Sequence, residues 1–450
     1  MTNPSSPMTA AQTTGCVQPL NAADRLMLVA HEGMRRLGHP GFQCQTHVWL
    51  DGRLDVGKFR SALASLERQY PVITSRLARD RRGIPYWSAH AGPVKFTELD
   101  ESSDEQATVW RTGERLFAEP LDPDRHPPIE FHLLHLPDGR DVLLLRFSHV
   151  LMDGKGPEFA LSEISRLHAE ESASTIPAMP CAHDELAEHL SRIGRRRRFS
   201  AAMQVVRSQI KLPIRSGVLA RGDVSQWCHG PLRILVREMD EARTRAAIDR
   251  VRRLCGFANL SPAVLASVFR AIRAFTDKPI GRRTGFQTDV PLNLRAPGKI
   301  HPVFRNYMSF IRMCARADEL EDRDALTRSL NAYMRDQIRR GVDIGTAQMM
   351  SLMAPMEKLL ARHLVDRMRK DPISLGFGFL GPVLAGLESF CGRRVDRLYS
   401  LNASISPPGM VLQVGQFRGR MSLAMTYIEE KVPDELANRF AEFIMDDLTT

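Results

Sequence analysis

The chain has 450 residues, of which 43% are hydrophobic and 25% are charged, and 62 Lys and Arg residues face 52 Asp and Glu residues. This composition is ordinary for a globular protein and excludes a collagen-like, low-complexity or largely disordered chain. The length is sufficient for two large lobes, or roughly three domains, with a sizeable core.

The sequence shows no targeting or membrane-spanning segment. It lacks a run of about 18 apolar residues, so we expect no transmembrane segment. Residues 1–18 are rich in Ser, Thr, Pro and Ala, without the basic start and apolar stretch of a signal peptide, and we expect residues 1–20 to form a disordered tail. The 7 scattered cysteines form no C-x-x-C pair, which indicates free thiols and a cytoplasmic protein.

Helix and strand patterns alternate in the first half of the chain. Asp55 can cap a helix whose apolar positions continue to Tyr70, and Pro71 ends that helix. Pro157 begins a second helix. The nearly continuous apolar run Val142–Phe147 predicts a central strand with both faces covered. Strands are predicted at 42–50, 92–99, 129–136 and 142–147.

Residues 176–230 interrupt this alternation, and we place a basic connector between two lobes there. Arginines are concentrated at Arg192, Arg195–Arg198 and Arg207. Such a cluster fits a solvated helix face or a flexible connector, and it equally fits a docking surface for a phosphorylated cofactor or an acidic partner protein. We expect no nucleic-acid partner, because no finger, helix-turn-helix or aromatic-plus-basic module accompanies the charge.

The second half of the chain repeats the mixed pattern without a detectable sequence repeat. Gly256 ends one predicted helix, Ser261-Pro262 begins the next, and Arg418-Gly419 joins the last two strands in a hairpin. Strands are predicted at 232–236, 285–292, 306–314, 373–380, 395–402, 410–417 and 421–428. We therefore predict a mixed α/β protein with two lobes, residues 21–175 and 231–450, and a cleft between them.

One segment combines residues that are suited to proton transfer. Ser148-His149-Val150-Leu151-Met152-Asp153-Gly154 follows directly on the buried strand. His149 lies where that strand ends, a position at which α/β sheets present ligand-binding residues, and histidine titrates near neutral pH. Asp153 is less well placed as a base, but a glycine turn can direct it inward to pair with an arginine. The spacing alone equally allows a structural histidine and an ordinary Asp-Gly turn.

This segment resembles the H-x-x-x-D-G motif of acyltransferases that use CoA or carrier proteins. That superfamily includes chloramphenicol acetyltransferase, wax ester and diacylglycerol synthases, polyketide-associated acyltransferases and the condensation domains of peptide synthetases. His149, Asp153 and Gly154 match the motif. Further segments resemble those of the superfamily in the same order between about Asn21 and Thr450: Tyr70–Leu77, Pro120–Asp122 with Pro127-Pro128, Asp289–Arg295 and Asn306.

The chain also departs from the superfamily pattern. Ser148 takes the place of the first of two adjacent histidines, but the second histidine does the chemistry in the superfamily. Arg305 stands where glycine usually precedes Asn306. The D-F-G-W-G motif of the plant branch is missing, which argues against that branch.

The resemblance implies two chloramphenicol-acetyltransferase-like lobes that form a pseudo-dimer around a central tunnel. It implies an acyl thioester as donor, either acyl-CoA or the phosphopantetheine arm of a carrier protein acting in trans. The acceptor would be a small alcohol or amine, and the product an ester or amide. We expect a monomer with no permanently bound cofactor and no metal.

The resemblance also assigns roles to individual residues. Nε2 of His149 would act as the general base. Asp153 would pair with Arg295 and shape the loop. A backbone N–H near Gly154 and the side chain of Asn306 would be candidate donors to the oxyanion.

Two alternatives stay open at this stage. The chain can be a degenerate relative that binds a carrier protein or ligand without transfer, or a condensation-fold enzyme that catalyses cyclisation with His149 as base. No G-x-S-x-G nucleophile elbow, metal motif or dinucleotide fingerprint appears. Gly376–Gly381 contains G-x-G but opens no dinucleotide-binding unit, and we interpret it as a close-packed strand near the tunnel.

Overall fold

A computed structural model provides the structure of the chain. It describes residues 16–450 except for 90, 102, 104–105, 171–183, 211–214, 222–229, 257–258, 282–283, 297–298, 300, 357–358, 360–372, 385 and 404–407. Much of the predicted connector, including Pro177, Pro180 and Pro213, therefore lies outside the described residues.

The described helices and strands follow the predicted mixed pattern. The helices are α1 (Ala22–Arg36), α2 (Val56–Gln69), α3 (Gln106–Ala118), α4 (Gly156–Ala169), α5 (Glu185–Ser191), α6 (Arg195–Ile210), α7 (Glu241–Cys255), α8 (Leu260–Phe275), α9 (Arg323–Arg339), α10 (Val342–Met353) and α11 (Asp434–Thr449). The strands are β1 (Cys16–Pro19), β2 (Gln43–Leu50), β3 (Arg76–Arg79), β4 (Pro85–Ser88), β5 (Lys95–Asp100), β6 (Ile129–His135), β7 (Asp141–Ser148), β8 (Arg215–Ser216), β9 (Leu232–Met239), β10 (Thr284–Asn293), β11 (Met308–Arg316), β12 (Gly376–Pro382), β13 (Ser389–Phe390), β14 (Arg393–Asn402), β15 (Met410–Phe417) and β16 (Arg420–Ile428).

Strand β7 lies at the centre of the N-terminal lobe. The sheet has the order β13-β14-β2-β7-β6-β5, and every residue of β7 is buried. Leu143 and Leu145 pack in a core with Phe59 of α2 and Ile164 of α4. Leu144, on the opposite face, packs in a second core. The prediction of a strand covered on both faces is confirmed, because a continuous apolar run loses exposure to water on both sides at once.

The predicted helix ends are confirmed for α2 and α7 but not for α8. The Asp55 side chain accepts the N–H of Lys58 and caps α2, as predicted. Gly256 ends α7 in the left-handed conformation with φ 77°. The predicted start of α8 at Ser261 is wrong, since the side chain of Asn259 accepts the N–H of Ser261 and caps the helix earlier.

The C-terminal lobe contains two smaller sheets. Strands β12-β15-β16-β9 form one, and β11-β10-β8 form the other. The predicted hairpin joins β15 to β16 at Arg418 and Gly419, which have φ values of 49° and 74°. Helices α7, α8, α9 and α11 contribute to the core under these strands, where Phe269, Phe286 and Phe440 are fully buried.

One strand of the C-terminal half of the chain lies in the N-terminal sheet. Strand β14 belongs to the C-terminal half, yet it pairs antiparallel with β2 in the N-terminal sheet, from Val395 opposite Leu50 to Asn402 opposite Cys44. The segment predicted as the C-terminal lobe, 231–450, therefore also supplies a strand to the sheet of the other lobe. The alternation of polar and apolar residues predicts that a strand exists but does not identify the strand that it pairs with.

The predicted tail and connector also need correction. Residues 16–19 form β1, which pairs with β4, and the Gln18 side chain donates to the Phe304 carbonyl oxygen at 3.0 Å. The predicted tail of residues 1–20 is thus too long at its C-terminal end. In the described part of residues 176–230, Arg195–Arg198 and Arg207 lie on helix α6, which packs against α10, whereas Arg192 lies at the end of α5.

No single helix in the described ranges has both the length and the apolar character needed to span a bilayer. Helices α7 and α8 reach those limits only when they are taken together as a pair bent by 101°. Most residues of α8 are buried in the core of the C-terminal lobe.

Candidate active site

A cavity of about 300 Å³ lies between the N-terminal sheet and the strands of the C-terminal lobe. Its wall on one side comes from β2, β7, β14 and the loop 149–155, and on the other side from β10, β11, β12 and β15. Most of the lining is apolar and includes Phe147, Phe310, Phe377 and Leu380. His149, Asp153 and Gly154 all line this cavity.

The end of β7 positions His149 at the cavity wall. Strand pairing with β2 continues as far as Ser148, and the N–H of His149 then donates to the carbonyl oxygen of Phe42 at 3.0 Å. The imidazole lies against the Phe42 ring with a centroid distance of 4.6 Å, and His149 is only 7% exposed. The ring is therefore neither sealed in packed interior nor open to bulk solvent.

The contact with Asn306 indicates which ring nitrogen of His149 carries the proton. Its Nδ2 donates to the carbonyl oxygen of His149 at 2.9 Å and to Oδ1 of Asp24 at 3.0 Å. Oδ1 of Asn306 must then be the atom that faces Nδ1 of His149, at 3.2 Å. Because an amide oxygen only accepts, Nδ1 carries the proton and Nε2 is left as the basic nitrogen.

This geometry corrects one role that the sequence suggested for Asn306. The side-chain N–H groups are committed to Asp24 and to the loop carbonyl groups, so they do not serve as oxyanion donors. Asn306 instead holds the histidine loop and the imidazole together.

Burial governs the charge of His149. Desolvation is the largest influence and lowers the pKa of His149 from its ordinary value of 6.5, although Asp153 and Asn306 act in the opposite direction. A lowered pKa leaves the imidazole neutral at pH 7, which is the form that accepts a proton.

Asp24 is part of the site, although sequence reasoning did not select it. It is 1% exposed, and its Oδ1 accepts the backbone N–H and the side chain of Asn306 at 2.8 and 3.0 Å. Its Oδ2 accepts the N–H of Asn21 at 3.0 Å, which completes a capping box at the start of α1. Burial raises the pKa of Asp24 to about 7, while Arg305 and the N–H donors oppose that rise. The Asn21-x-x-Asp24 box was the available signal, but it indicates only a helix start.

Arg305, the residue that replaces the usual glycine, is buried and supports the same corner. Its Nη1 donates to the Pro19 carbonyl oxygen at 3.0 Å and lies 3.9 Å from Oδ2 of Asp24. Its Nε lies 3.2 Å from a carboxylate oxygen of Glu185 on α5. The substitution therefore ties β1, α1 and α5 to the loop that carries Asn306.

Asp153 and Arg295 form a buried ion pair beside the cavity. Nη1 of Arg295 donates to Oδ2 of Asp153 at 2.7 Å, and the N–H of Tyr307 donates to the same oxygen at 2.8 Å. Oδ1 of Asp153 accepts the N–H groups of Lys155 and Gly156. The carboxylate thus satisfies the turn after His149 and the start of α4.

Arg295 is fully enclosed by protein groups. Its Nε and Nη2 donate to the Pro302 carbonyl oxygen at 3.0 and 2.6 Å, and its guanidinium lies 5.2 Å from the centre of the Phe159 ring. The side chain of Arg295 is 0% exposed. Such a pair fixes the loop geometry, because a buried charge needs both its partner and its hydrogen bonds.

Gly154 lies where the two lobes approach each other. A Cβ atom at this position would stand 2.8 Å from Cδ2 of Leu380 on β12. The N–H of Gly154 makes no hydrogen bond with any residue that the structure describes. The neighbouring Lys155 donates through Nζ to the Pro382 carbonyl oxygen at 2.8 Å and thereby joins the loop to β12.

Ser148 does not line the cavity. It is fully buried, and its hydroxyl accepts the N–H of Val150 at 3.4 Å. Several polar residues that were not predicted do line the cavity, and two of them have a polar atom that is unpaired within the described ranges. Oγ1 of Thr46 and Oε1 of Gln413 are buried and have no hydrogen-bond partner among the described residues. The side chain of Gln413 lies over Gly378, where it would contact any Cβ atom, so β12 is the close-packed strand that the sequence predicted.

Other histidines take part in local pairs. His132 contacts Glu130 and Thr97, and His135 contacts Asp141. Within the described ranges, no group of three or more His, Cys, Asp or Glu residues is arranged to hold a metal ion.

Solved structures with the same fold cover nearly the whole chain. The first condensation domain of the CDA synthetase has a TM-score of 0.72 and 14% identity, with 96% of each chain covered. The TRI3 trichothecene 15-O-acetyltransferase from Fusarium sporotrichioides has a TM-score of 0.73 and 10% identity, with 99% of each chain covered. A double mutant of the starter condensation domain of the rhizomide synthetase RzmA, in complex with C8-CoA and Leu-SNAC, has a TM-score of 0.70 and 14% identity, with 99% of this chain and 96% of that chain covered.

Sequence comparison adds a weaker likeness. The chain is 24% identical over 135 residues to the polyketide synthase-nonribosomal peptide synthetase ffsA of Aspergillus flavipes. That match covers 30% of this chain and 3% of the synthetase. No protein-family profile matches the chain. The structural likeness confirms the predicted fold: the chain has the two-lobed condensation-domain fold, which is that of chloramphenicol-acetyltransferase-like acyltransferases.

We predict that Asp153→Asn destabilises the fold. The change leaves the Arg295 guanidinium buried without its counter-charge, and we expect a loss of about 3–5 kcal/mol in the free energy of unfolding. Urea denaturation measures this loss. The control is Asp138→Asn, which removes an exposed pair with Arg140 and should cost less than about 1 kcal/mol. Equal stability of the two variants would contradict a structural role for Asp153.

We also predict that Asp24→Asn is destabilising. An amide nitrogen in place of Oδ2 would face the N–H of Asn21, and a buried donor without a partner costs about 1–3 kcal/mol. Thermal denaturation of Asp24→Asn and Asp55→Asn tests this, since both residues cap helix starts but only Asp24 reaches the histidine loop. If the two variants lost the same stability, the buried carboxylate of Asp24 would stabilise the fold no more than the exposed helix cap of Asp55 does.

Proposed function

We propose that the protein is an acyltransferase that moves an acyl group from a thioester to a hydroxyl or amine acceptor, with His149 as general base. The observation that carries the proposal is the position of His149: its ring lines the cavity between the lobes, and Asn306 holds the proton on Nδ1. A neutral imidazole with an unprotonated Nε2, at the wall of a cavity between two lobes, is suited to deprotonating one bound substrate beside another.

The proposed reaction proceeds by direct transfer. Nε2 of His149 accepts the proton from the acceptor O–H or N–H as that oxygen or nitrogen forms a bond to the thioester carbonyl carbon. The negative charge of the tetrahedral intermediate moves to the carbonyl oxygen. The C–S bond then breaks, the imidazolium returns its proton to the thiolate, and the ester or amide and the free thiol leave. No covalent acyl-enzyme is formed.

The N–H of Gly154 is the candidate donor to the oxyanion. It belongs to the same loop as His149, it lines the cavity, and it has no hydrogen-bond partner in the described part of the chain. A fixed backbone donor in a site shielded from water stabilises developing negative charge more strongly than water does.

The lining of the cavity supports an apolar acyl chain or acceptor. Phe147, Phe310 and Phe377 are among its apolar residues, and burying each methylene of a substrate there contributes about 0.8 kcal/mol. The hydroxyl of Thr46, which can donate and accept, and the acceptor Oε1 of Gln413 are buried without partners among the described residues, so they favour a substrate that also presents a polar group such as a hydroxyl.

The donor that we propose is acyl-CoA, or an acyl carrier protein acting in trans. The support for acyl-CoA is the RzmA starter condensation domain, which has the same fold and was solved in complex with C8-CoA. The thioester and its pantetheine arm are substrates that leave after transfer, so no permanently bound cofactor is required.

His149→Gln is the direct test of the base. Glutamine has no basic nitrogen, so kcat should fall about 10²- to 10⁴-fold while the melting temperature stays close to that of the parent. The assay measures CoA release from octanoyl-CoA with a panel of alcohols and amines, and mass spectrometry identifies the products. His126→Gln, at an exposed histidine, is the control. Near-normal turnover of His149→Gln would remove the proposed base.

The pH dependence provides a separate test. Because desolvation lowers the pKa of His149 below 6.5, the neutral base persists as the pH falls through 6.5 and is lost only at lower pH. We expect the acid limb of kcat/KM to lie below pH 6.5, in the parent and in Asp24→Asn alike. Any further inflection near pH 7 that is absent from Asp24→Asn belongs to Asp24. An acid limb above pH 6.5 in both proteins would contradict a desolvated base.

A further inference from the structure

Large apolar side chains are exposed in one region of the described chain. Eight such side chains are exposed, and seven of them lie on α6, at the end of α9, on α10 or directly after α10. The eighth is Ile280. The seven are Phe199, Met203, Val206, Ile338, Leu352, Met356 and Leu359. Single exposed apolar residues are normal, but a concentration of them in one place indicates an interaction surface.

Three of these residues form a stripe along α6. Phe199, Met203 and Val206 are 70%, 38% and 39% exposed. At about 100° per residue they lie within about 60° of one another on the helix surface. Arg195 borders the stripe on one side, and Arg196 and Arg207 border it on the other. We call these six residues (Arg195, Arg196, Phe199, Met203, Val206 and Arg207) the α6 face.

The charges of the α6 face are not neutralised within the described part of the protein. Arg195, Arg196 and Arg207 are exposed, and none of them forms an ion pair with a described residue. The surface is therefore complementary to something that is both anionic and apolar. The whole chain also carries a formal charge of +10, which favours approach to a negative surface.

The opposite face of α6 fixes the helix in this orientation. Ala201 and Ala202 are buried against α10, where a Cβ atom at Gly345 would collide with the Ala201 carbonyl oxygen. Arg198 donates to the side-chain oxygen of Gln348 at 3.2 Å. A rotation that hid the stripe would break this close packing, so the stripe stays outward.

The α6 face is also connected to the cavity. Helix α10, on which α6 packs, contacts β11, and Oγ1 of Thr346 donates to the carbonyl oxygen of Phe310 at 3.1 Å. Phe310 lines the cavity. Only one helix and one strand therefore separate the α6 face from the cavity wall.

We propose that the α6 face binds the surface of an anionic lipid bilayer. Helices that lie in the plane of a membrane interface carry an apolar stripe with arginines at its borders, and the arginine stems extend so that their charges meet the headgroups. The exposed side chains of Phe199 and Met203 can enter the boundary between lipid headgroups and acyl chains, whereas the phosphate and sugar groups of a nucleic acid would leave the apolar stripe in water. This surface does not depend on the proposed reaction.

Vesicle flotation with the 450-residue chain tests the proposal. We expect binding to vesicles of phosphatidylcholine and phosphatidylglycerol in equal parts, little binding to pure phosphatidylcholine, and release at high salt. Replacing Arg195 and Arg196 by Gln should lower the partition coefficient about 30-fold. Replacing Phe199 and Met203 by Ser should lower it at least about tenfold by removing buried apolar area.

In the control variant, Gln replaces two exposed arginines of α7, Arg245 and Arg253. This variant changes the net charge as much as the arginine variant of α6 does. We expect it to bind like the parent, because both residues lie outside the α6 face. Octanoyl-CoA turnover in solution should be unchanged in all three variants, which separates this inference from the proposed reaction. The proposal is overturned if anionic vesicles are not bound, or if the α6-face variants bind like the control. Binding of an acidic carrier protein that the same variants abolish, without vesicle binding, would reassign the surface to a protein partner.

Discussion

The amide of Asn306 is the contact on which the geometry of the site depends. It connects the histidine loop that follows β7 with the carboxylate of Asp24 at the start of α1, while its own backbone belongs to the C-terminal half of the chain. A single side chain therefore joins three distant stretches of sequence. It uses its donors on the loop and on Asp24, and it leaves its oxygen for the imidazole.

Two buried carboxylates support this arrangement in different ways. Asp153 meets Arg295 as a charged pair and satisfies the turn that follows His149. Asp24 is surrounded by N–H donors and by Arg305 at a longer distance. Both carboxylates are buried, so both need their partners to remain in place. The loop 149–155, which contains Asp153 and contacts Asn306, therefore has little freedom to move. The result is an imidazole that is held rigidly at the wall of a mainly apolar cavity.

Much of the fold could be predicted from the sequence because its signals are local. The apolar run Val142–Phe147, the Asp55 cap and the Arg418-Gly419 turn each specify an element through neighbouring residues, and these predictions are confirmed. The pairing of β14 with β2 was missed, because residues 393–402 and 43–50 share no sequence signal that indicates which strand is the neighbour.

The site was predictable only in part, for the same reason. The spacing of His149, Asp153 and Gly154 is visible along the chain, and the resemblance to known acyltransferases proposed Arg295 as a partner. Asp24 lies 282 residues from Asn306 in the sequence, so its role depends on tertiary packing alone. The wrong role suggested for the Asn306 amide has the same origin, because its donors are occupied by groups that the motif does not contain.

The tautomer of His149 is the most direct test of the proposed base. Nitrogen-15 NMR of labelled protein at pH 7, with the resonances assigned by comparison with His149→Gln, reports which ring nitrogen is protonated. We predict a neutral ring with its proton on Nδ1, and loss of that preference in Asn306→Ala. A proton on Nε2, or a charged imidazolium at pH 7, would contradict the role of Asn306 and of the base that it orients.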